Sequence, residues 1–222
     1  MLYKLIKMNM LKGILTKGVP VLILLLCSLM PSLKAQQVDQ YPSMPEDISP
    51  LLNGEKIPAL MLRDMAGKSV DLNAEFMNKP TVLVVYRGGW CPFCNKQLSA
   101  LQEAFPALKE MGYQLIAVST DSPGNLKMTA EKDQLEYTLL SDADLHAAKS
   151  LGIAYMAPKA YHKLLPNSTG GLDKDLLLPV PSVFILDKKG VIHFEYINPD
   201  FKQRLDAGLL KTVAAGLYKD LM

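Results

Sequence analysis

From Thr81 to Tyr86 the chain reads TVLVVY, short, apolar and rich in β-branched residues. Such a run predicts a strand buried on both faces of a sheet. YQLIAVS, residues 113–119, predicts another. Between them the period changes. Leu98, Leu101, Phe105 and Leu108 recur at helical spacing and mark one face of a helix, which Pro106 is expected to kink or split. Before the first strand, ALMLRD and SVDL flank MAGK and predict two short strands around a turn at Gly67. After the second, GNLKMTAEK and DADLHAAKSLG predict helices, with Asp142 or Asp144 near the N-cap of the latter. SVFILD, KKG and VIHFEYI predict a hairpin. Leu205, Leu209, Val213 and Leu217 line one stripe of a closing helix.

Residues 154–179 break this rhythm with Pro158, Pro166, Gly170, Gly171 and Pro179, and read as an insertion or long loop. Strands alternating with helices predict an α/β fold, a central sheet with helices on both faces.

The N-terminus has a different logic. Lys4, Lys7, Lys12 and Lys17 precede an apolar run, Val19 to Met30, and Ala35 follows. A basic start, a short apolar stretch and a small residue describe a secretory signal peptide over residues 1–35. The run is short for a membrane span of ~20 residues; an uncleaved anchor is the alternative. Cys27 belongs to this run. Residues 36–57, with Pro42, Pro45 and Pro50, read as a proline-containing linker, and the folded domain as 58–222. The expected product is exported to the periplasm or cell envelope of a bacterium, with no membrane span after processing.

Charge changes once the leader is set aside. The whole chain carries 24 basic and 22 acidic residues. The first 35 residues hold five lysines and no acid, which leaves 19 against 22, a balance of −3. The mature chain therefore has no basic character that would mark a nucleic-acid partner.

Its chemistry concentrates in YRGGWCPFCNKQL, 86–98, which holds both cysteines outside the leader. Cys91 stands where a buried strand gives way to a helix, with Pro92 at the first helical position. A thiol there faces free backbone N–H groups and the positive end of the helix dipole, and both favour thiolate. Cys94 lies in the same first turn. Gly88 and Gly89 allow a sharp turn, and Arg87 adds a permanent positive charge. A zinc site would need two further ligands, and His146, His162 and His193 are scattered singly. Two inert thiols or an idle structural disulfide are the bland alternatives. A disulfide here closes too short a loop to stabilise much.

WCPFC after a buried strand resembles the active-site turn of thioredoxin-fold dithiol enzymes. The longer pattern, with LLSDADLHAAKSLGI and PSVFILDKKGVI, is similar to the AhpC/TSA peroxiredoxin superfamily. The resemblance covers Pro58 to the C-terminus and implies a thioredoxin-like fold with a central mixed sheet. It also carries departures. A typical peroxiredoxin has Pro-x-x-x-Thr-x-x-Cys and a distant arginine beside the thiolate. Laid on this chain, the peroxidatic cysteine falls on Cys94, the threonine on Cys91, the proline on Arg87 and the arginine near Pro181. Three of the four groups thus have no counterpart. The thioredoxin resemblance implies instead that Val180–Pro181 is a cis peptide facing the cysteines.

The expected function is that of a thiol-based oxidoreductase in which Cys91 and Cys94 cycle between dithiol and disulfide, supported by Arg87, Trp90, Pro92 and Pro181. Disulfide exchange is the first expectation, with Cys91, more accessible than a Cys94 shielded by Trp90 and Phe93, attacking. The alternative is a thioredoxin-dependent peroxidase acting on hydrogen peroxide or organic hydroperoxides through Cys94 or Cys91. A non-catalytic thioredoxin-fold binding module is the third. No flavin or nucleotide fingerprint is present, so no cofactor is expected. Reducing equivalents would come from an external thiol reductant such as a thioredoxin-like protein.

Overall fold

The computed structural model describes residues 41–221; the leader and the start of the linker lie outside them. Two strands, β1 (Met61–Arg63) and β2 (Ser69–Asp71), form the first hairpin, closed at Gly67 with φ +79°. A short helix, α1 (Leu72–Phe76), follows, capped by the Asp71 carboxylate, which accepts the Asn73 and Ala74 N–H groups. Next come β3 (Thr81–Tyr86), α2 (Pro92–Glu110), β4 (Gln114–Ser119), α3 (Pro123–Asp133) and β5 (Thr138–Ser141). After α4 (His146–Ser150), β6 (Ala154–Met156), α5 (Leu165–Ser168) and β7 (Leu177–Pro179), the chain ends in β8 (Ser182–Leu186), β9 (Ile192–Ile197) and α6 (Ala207–Leu221).

The main sheet has seven strands in the order β2-β1-β5-β4-β3-β8-β9. β3, β4 and β5 run parallel; β8 is antiparallel to β3, and β1 to β5. This is the mixed α/β sheet of a thioredoxin-like fold. Strand β3 lies near its middle and shows why every residue in it is apolar or paired. Val82, Val84 and Tyr86 pack into a core shared with α2, α3 and α6. Leu83 and Val85 point to the other face, into a core with α1, α4 and Ile57.

Several sequence expectations need correction. Helix α2 runs unbroken through Pro106, which sits on the exposed face where solvent can take the freed carbonyl. The stripe of α6 is met only in part: Leu205 is buried and Val213 and Leu217 pack against the core, but Leu209 is 52% exposed and Leu210, Ala214 and Leu221 are buried in its stead. Strand β5 was not expected. The linker expectation fails over residues 41–57. Ile57 is buried, Leu51 N–H donates to Leu151 O, Gly54 N–H to Ile192 O, and Lys56 bridges Val191. Residues 154–179 are an ordered unit in which β6 and β7 pair antiparallel. Tyr155, Ala157, Leu165, Leu178 and Val180 give it a small core of its own. Asp142 caps α4 as expected, accepting the Ala147 and Ala148 N–H groups at 2.8 and 2.9 Å.

Candidate active site

Strand β3 ends at Tyr86, at the C-terminal end of the parallel strands, and the turn Arg87–Trp90 carries the chain into α2. Two glycines make this turn. Gly88 adopts φ +142°, and a Cβ there would collide with the Trp90 indole and the Asp121 carboxylate. A Cβ on Gly89 would overlap the Thr129 hydroxyl of α3. Asp121, just past β4, holds the turn by accepting the Gly89 N–H at 2.7 Å. The Asn95 side chain donates to Gly89 O at 2.9 Å, and Thr120 donates to Arg87 O at 2.8 Å.

Cys91 is the N-cap residue of α2, with extended backbone at φ −92° and ψ 117°, and Pro92 occupies the first turn on the exposed side. The Cys94 and Asn95 N–H groups donate to Cys91 O at 3.0 and 3.1 Å. Both thiols are free and both are buried, at 1% exposure for Cys91 and 0% for Cys94. The expected difference in accessibility between them is therefore absent. Phe93 does not shield Cys94: it is 38% exposed and packs edge-on against Phe201.

Electrostatics separates the sulfurs instead. The Cys91 thiol is pulled down to about 6, first by the hydrogen bond it shares with the Cys94 thiol. Burial opposes this; the Cys94 backbone N–H, Arg87 and Arg204 reinforce it. Burial pushes the Cys94 thiol well up, and its hydrogen bond to Cys91 holds its proton in place, against the pull of Arg204. The pair thus gives up one proton easily and the second with difficulty, with the negative charge on Cys91.

Arg204 is the residue that sequence reasoning missed. It lies in the loop between β9 and α6, 110 positions from Cys94, yet its Nη2 donates to Cys94 Sγ at 3.4 Å. Its Nη1 donates to Gln97 Oε1 at 3.2 Å. An arginine thus reaches the pair from a different element than the family pattern uses. Nothing in NPDFKQRLD distinguishes this arginine from a surface one. Phe201 comes from the same loop.

Arg87 is buried, with its Cζ 5.0 Å from the Trp90 ring, 4.4 Å from Tyr161 and 4.2 Å from Phe201. The structure brings Arg87, Trp90, Pro92, Cys91 and Cys94 together. Pro181 is buried at the start of β8, one residue past the Val85–Ser182 pair and so beside the end of β3. Its expected cis peptide is not found: no cis bond occurs among the described residues. The neighbouring backbone is tied to the start of β6, with Val180 N–H donating to Ile153 O at 2.8 Å. The main structural support for thioredoxin-like exchange is thereby removed.

Comparison with known proteins points the same way. The AhpC/TSA family profile matches residues 53–195. The chloroplastic peroxiredoxin Q of Populus jackii is 31% identical over 145 residues, covering 65% of this chain and 60% of that protein. Peroxiredoxin Bcp of Escherichia coli K12 is 32% identical over 106 residues, covering 48% of this chain and 67% of that one. The match thus spans about 60% of the length of the plant relative. Among solved structures, reduced Prx3 from Vibrio vulnificus superposes with a TM-score of 0.63 at 18% identity, covering 74% of this chain and 99% of that one. Peroxidoxin BcpB from Mycobacterium tuberculosis gives 0.61 at 18% identity, over 77% and 97%. At these identities the structures bear on the fold.

Proposed function

Because the chain belongs to the AhpC/TSA family, we propose that it is a thiol peroxidase in which Cys91 attacks and Cys94 resolves. The observation that carries this reading is the buried pair itself: two free thiols in one helix turn, Cys91 at the helix N-cap, and Arg204 on the partner sulfur. In the first step the Cys91 thiolate attacks one peroxide oxygen. The O–O bond breaks, the leaving oxygen takes a proton, and Cys91 becomes a sulfenic acid while water or an alcohol departs. In the second, the Cys94 sulfur attacks the Cys91 sulfur, and the hydroxyl leaves with a proton as water. The disulfide is then returned to dithiol by two electrons and two protons from an external thioredoxin-like protein.

Burial favours this reading over the disulfide exchange first expected. A protein disulfide needs the loop to open widely before it reaches sulfurs at 0–1% exposure, whereas hydrogen peroxide, little larger than water, needs a much smaller opening. The Arg204 contact adds a cation where negative charge passes between the sulfurs. The Cys-x-x-Cys spacing is the one feature that speaks for exchange. Stopped-flow mixing of the reduced protein with hydrogen peroxide and, separately, with a disulfide substrate tests the choice. Fast oxidation by peroxide and slow oxidation by the disulfide is the expected result; the reverse order refutes it.

The same proposal includes export, with processing after Ala35. It rests on the residue pattern of the leader. Among the described residues, no helix is long and apolar enough to cross a membrane. N-terminal sequencing of the protein from its native host should read from Gln36; a retained Met1 in a soluble internal form sinks this part.

A further inference from the structure

Arg204 faces two ways. Its Nη2 donates to Cys94 Sγ at 3.4 Å and its Nη1 to Gln97 Oε1 at 3.2 Å. The same side chain lines a cleft of about 380 Å³ between the start of α2 and the loop that leads into α6. Lys96 and Lys202 line it too, and the exposed Phe93 ring and Leu205 supply apolar wall. Three cations thus meet at one cleft, and no ion pair among the described residues engages any of them. Arg204 Nε is buried without a hydrogen-bond partner among the described residues. The one acid in the wall, Asp206, is engaged by α6: it accepts the Gly208 and Leu209 N–H groups at 2.8 and 3.0 Å. The cleft therefore holds donors for an anion and contains no free one of its own.

We propose that this cleft binds a small thiol carrying a carboxylate, and that such a thiol reduces the Cys91–Cys94 disulfide by attacking Cys94. The inference rests on the pair forming that disulfide, and it adds a low-molecular-weight donor beside the thioredoxin-like protein. Size suits a small molecule: the volume lies at the low end of the roughly 300–1,000 Å³ of such sites. Charge selects a carboxylate, which a guanidinium grips with two parallel N–H bonds. A carboxylate that takes Nε and Nη2, the paired edge of the Arg204 guanidinium, draws Nη2 off the Cys94 sulfur. Binding and uncovering are then one event, and the sulfur uncovered is Cys94. In the step itself the ligand's thiolate sulfur forms a bond to Cys94 Sγ. The S–S bond to Cys91 breaks, and Cys91 leaves with the electron pair as thiolate. Cys91 is the better leaving group, since its thiol is pulled down to about 6 while burial pushes Cys94 well up. A second thiol then attacks the ligand's sulfur, Cys94 departs and takes a proton, and the small disulfide leaves. Two thiols thus give two electrons to the pair, and their two protons go to it or to water.

The test needs no peroxide. Diamide oxidises the reduced protein to the Cys91–Cys94 disulfide, which mass spectrometry confirms. Reduction is then followed by Trp90 fluorescence with three thiols: 3-mercaptopropionate, which is anionic, 2-mercaptoethanol, which is neutral, and cysteamine, which is cationic. Rates are compared per thiolate. 3-Mercaptopropionate should outpace 2-mercaptoethanol by about tenfold or more, with cysteamine slowest. Lys96 and Lys202 are both exposed, so Lys96→Gln/Lys202→Gln leaves the core untouched. In that variant the ratio of the first two rates should fall to about two or less. Acid quenching in the first turnover, followed by peptide mapping, should place the mercaptopropionate adduct on Cys94. Equal rates for the three thiols, an undiminished ratio in the double variant or an adduct on Cys91 overturns the proposal. A protein that diamide leaves as the dithiol refutes the redox pair itself, and the inference falls with it.

Discussion

Replacing Arg204 with methionine isolates the charge on the resolving side of the pair. Methionine keeps much of the side-chain length but removes the donors to Cys94 Sγ and Gln97 Oε1. At the 3.4 Å separation of Nη2 and Sγ, an effective dielectric near 20 gives about 5 kcal/mol for two full charges. That is a ceiling, since the negative charge resides on Cys91 and is farther away. An opposite charge within a few ångströms moves a pKa by roughly 1–3 units; a rise of about half a unit to one unit fits the more distant placement, since Arg204 weighs less on Cys91 than the Cys94 hydrogen bonds and Arg87 do. Starting from about 6, the thiolate midpoint should move to roughly 6.5–7. At pH 7 the thiolate fraction would fall from about nine-tenths to between about three-quarters and a half, so peroxide should react up to about twofold more slowly. At pH 9 the variant and the parent should nearly coincide. Trp90, the only tryptophan in the chain, lies next to Cys91 and supplies the stopped-flow signal. An unchanged pH midpoint, or a loss as large at pH 9 as at pH 7, would refute the reasoning, because either would mean that Arg204 acts by shape and not by charge.

Gly89→Ala should destabilise the fold by about 1–3 kcal/mol through overlap with the Thr129 hydroxyl. Adding Thr129→Ala should recover part of the loss in a thermal melt, and strictly additive effects would contradict the contact. Burial pushes the Asp142 carboxyl up to about 7 in the fold, against about 3.9 in an unfolded chain. A raised folded pKa contributes stability that is complete below pH ~4 and is lost as pH rises through about 7. Urea melts of the parent should therefore weaken between pH 5 and pH 8 more than those of Asp142→Asn; equal pH slopes would contradict this.

The sequence announced the parts of this molecule whose signal is local. TVLVVY is a strand because both its faces are covered, and Val82–Val85 between its ends is wholly apolar. The Cys91–Pro92 junction reads as a helix start from residue chemistry alone. What escaped is what tertiary contact decides. Strand β5 has four residues, too few to show a period. In α6 the expected stripe fails only at Leu209; Leu210 and Ala214 face the core, and the Ala214 carbonyl accepts the buried Tyr113 hydroxyl at 2.8 Å. Proline and glycine in 154–179 indicated a loop, yet they separate short elements that carry Tyr161 to Arg87. Arg204 and Phe201 sit more than a hundred positions from the cysteines, and only folding shows which polar loop closes on the site. The cis proline was inferred from a likeness between turns, which does not extend to the backbone around Val180.

The central claim is that Cys91 is the sulfur that attacks peroxide. It is tested most directly by mixing reduced Cys94→Ser and Cys91→Ser proteins with one equivalent of hydrogen peroxide and trapping sulfenic acid with a dimedone probe. Mass spectrometry then locates the label. The account predicts rapid reaction and a stable sulfenic acid on Cys91 in Cys94→Ser, with little reaction in Cys91→Ser. Rapid reaction of Cys91→Ser, with the label on Cys94, would contradict it and make Cys91 the resolving thiol.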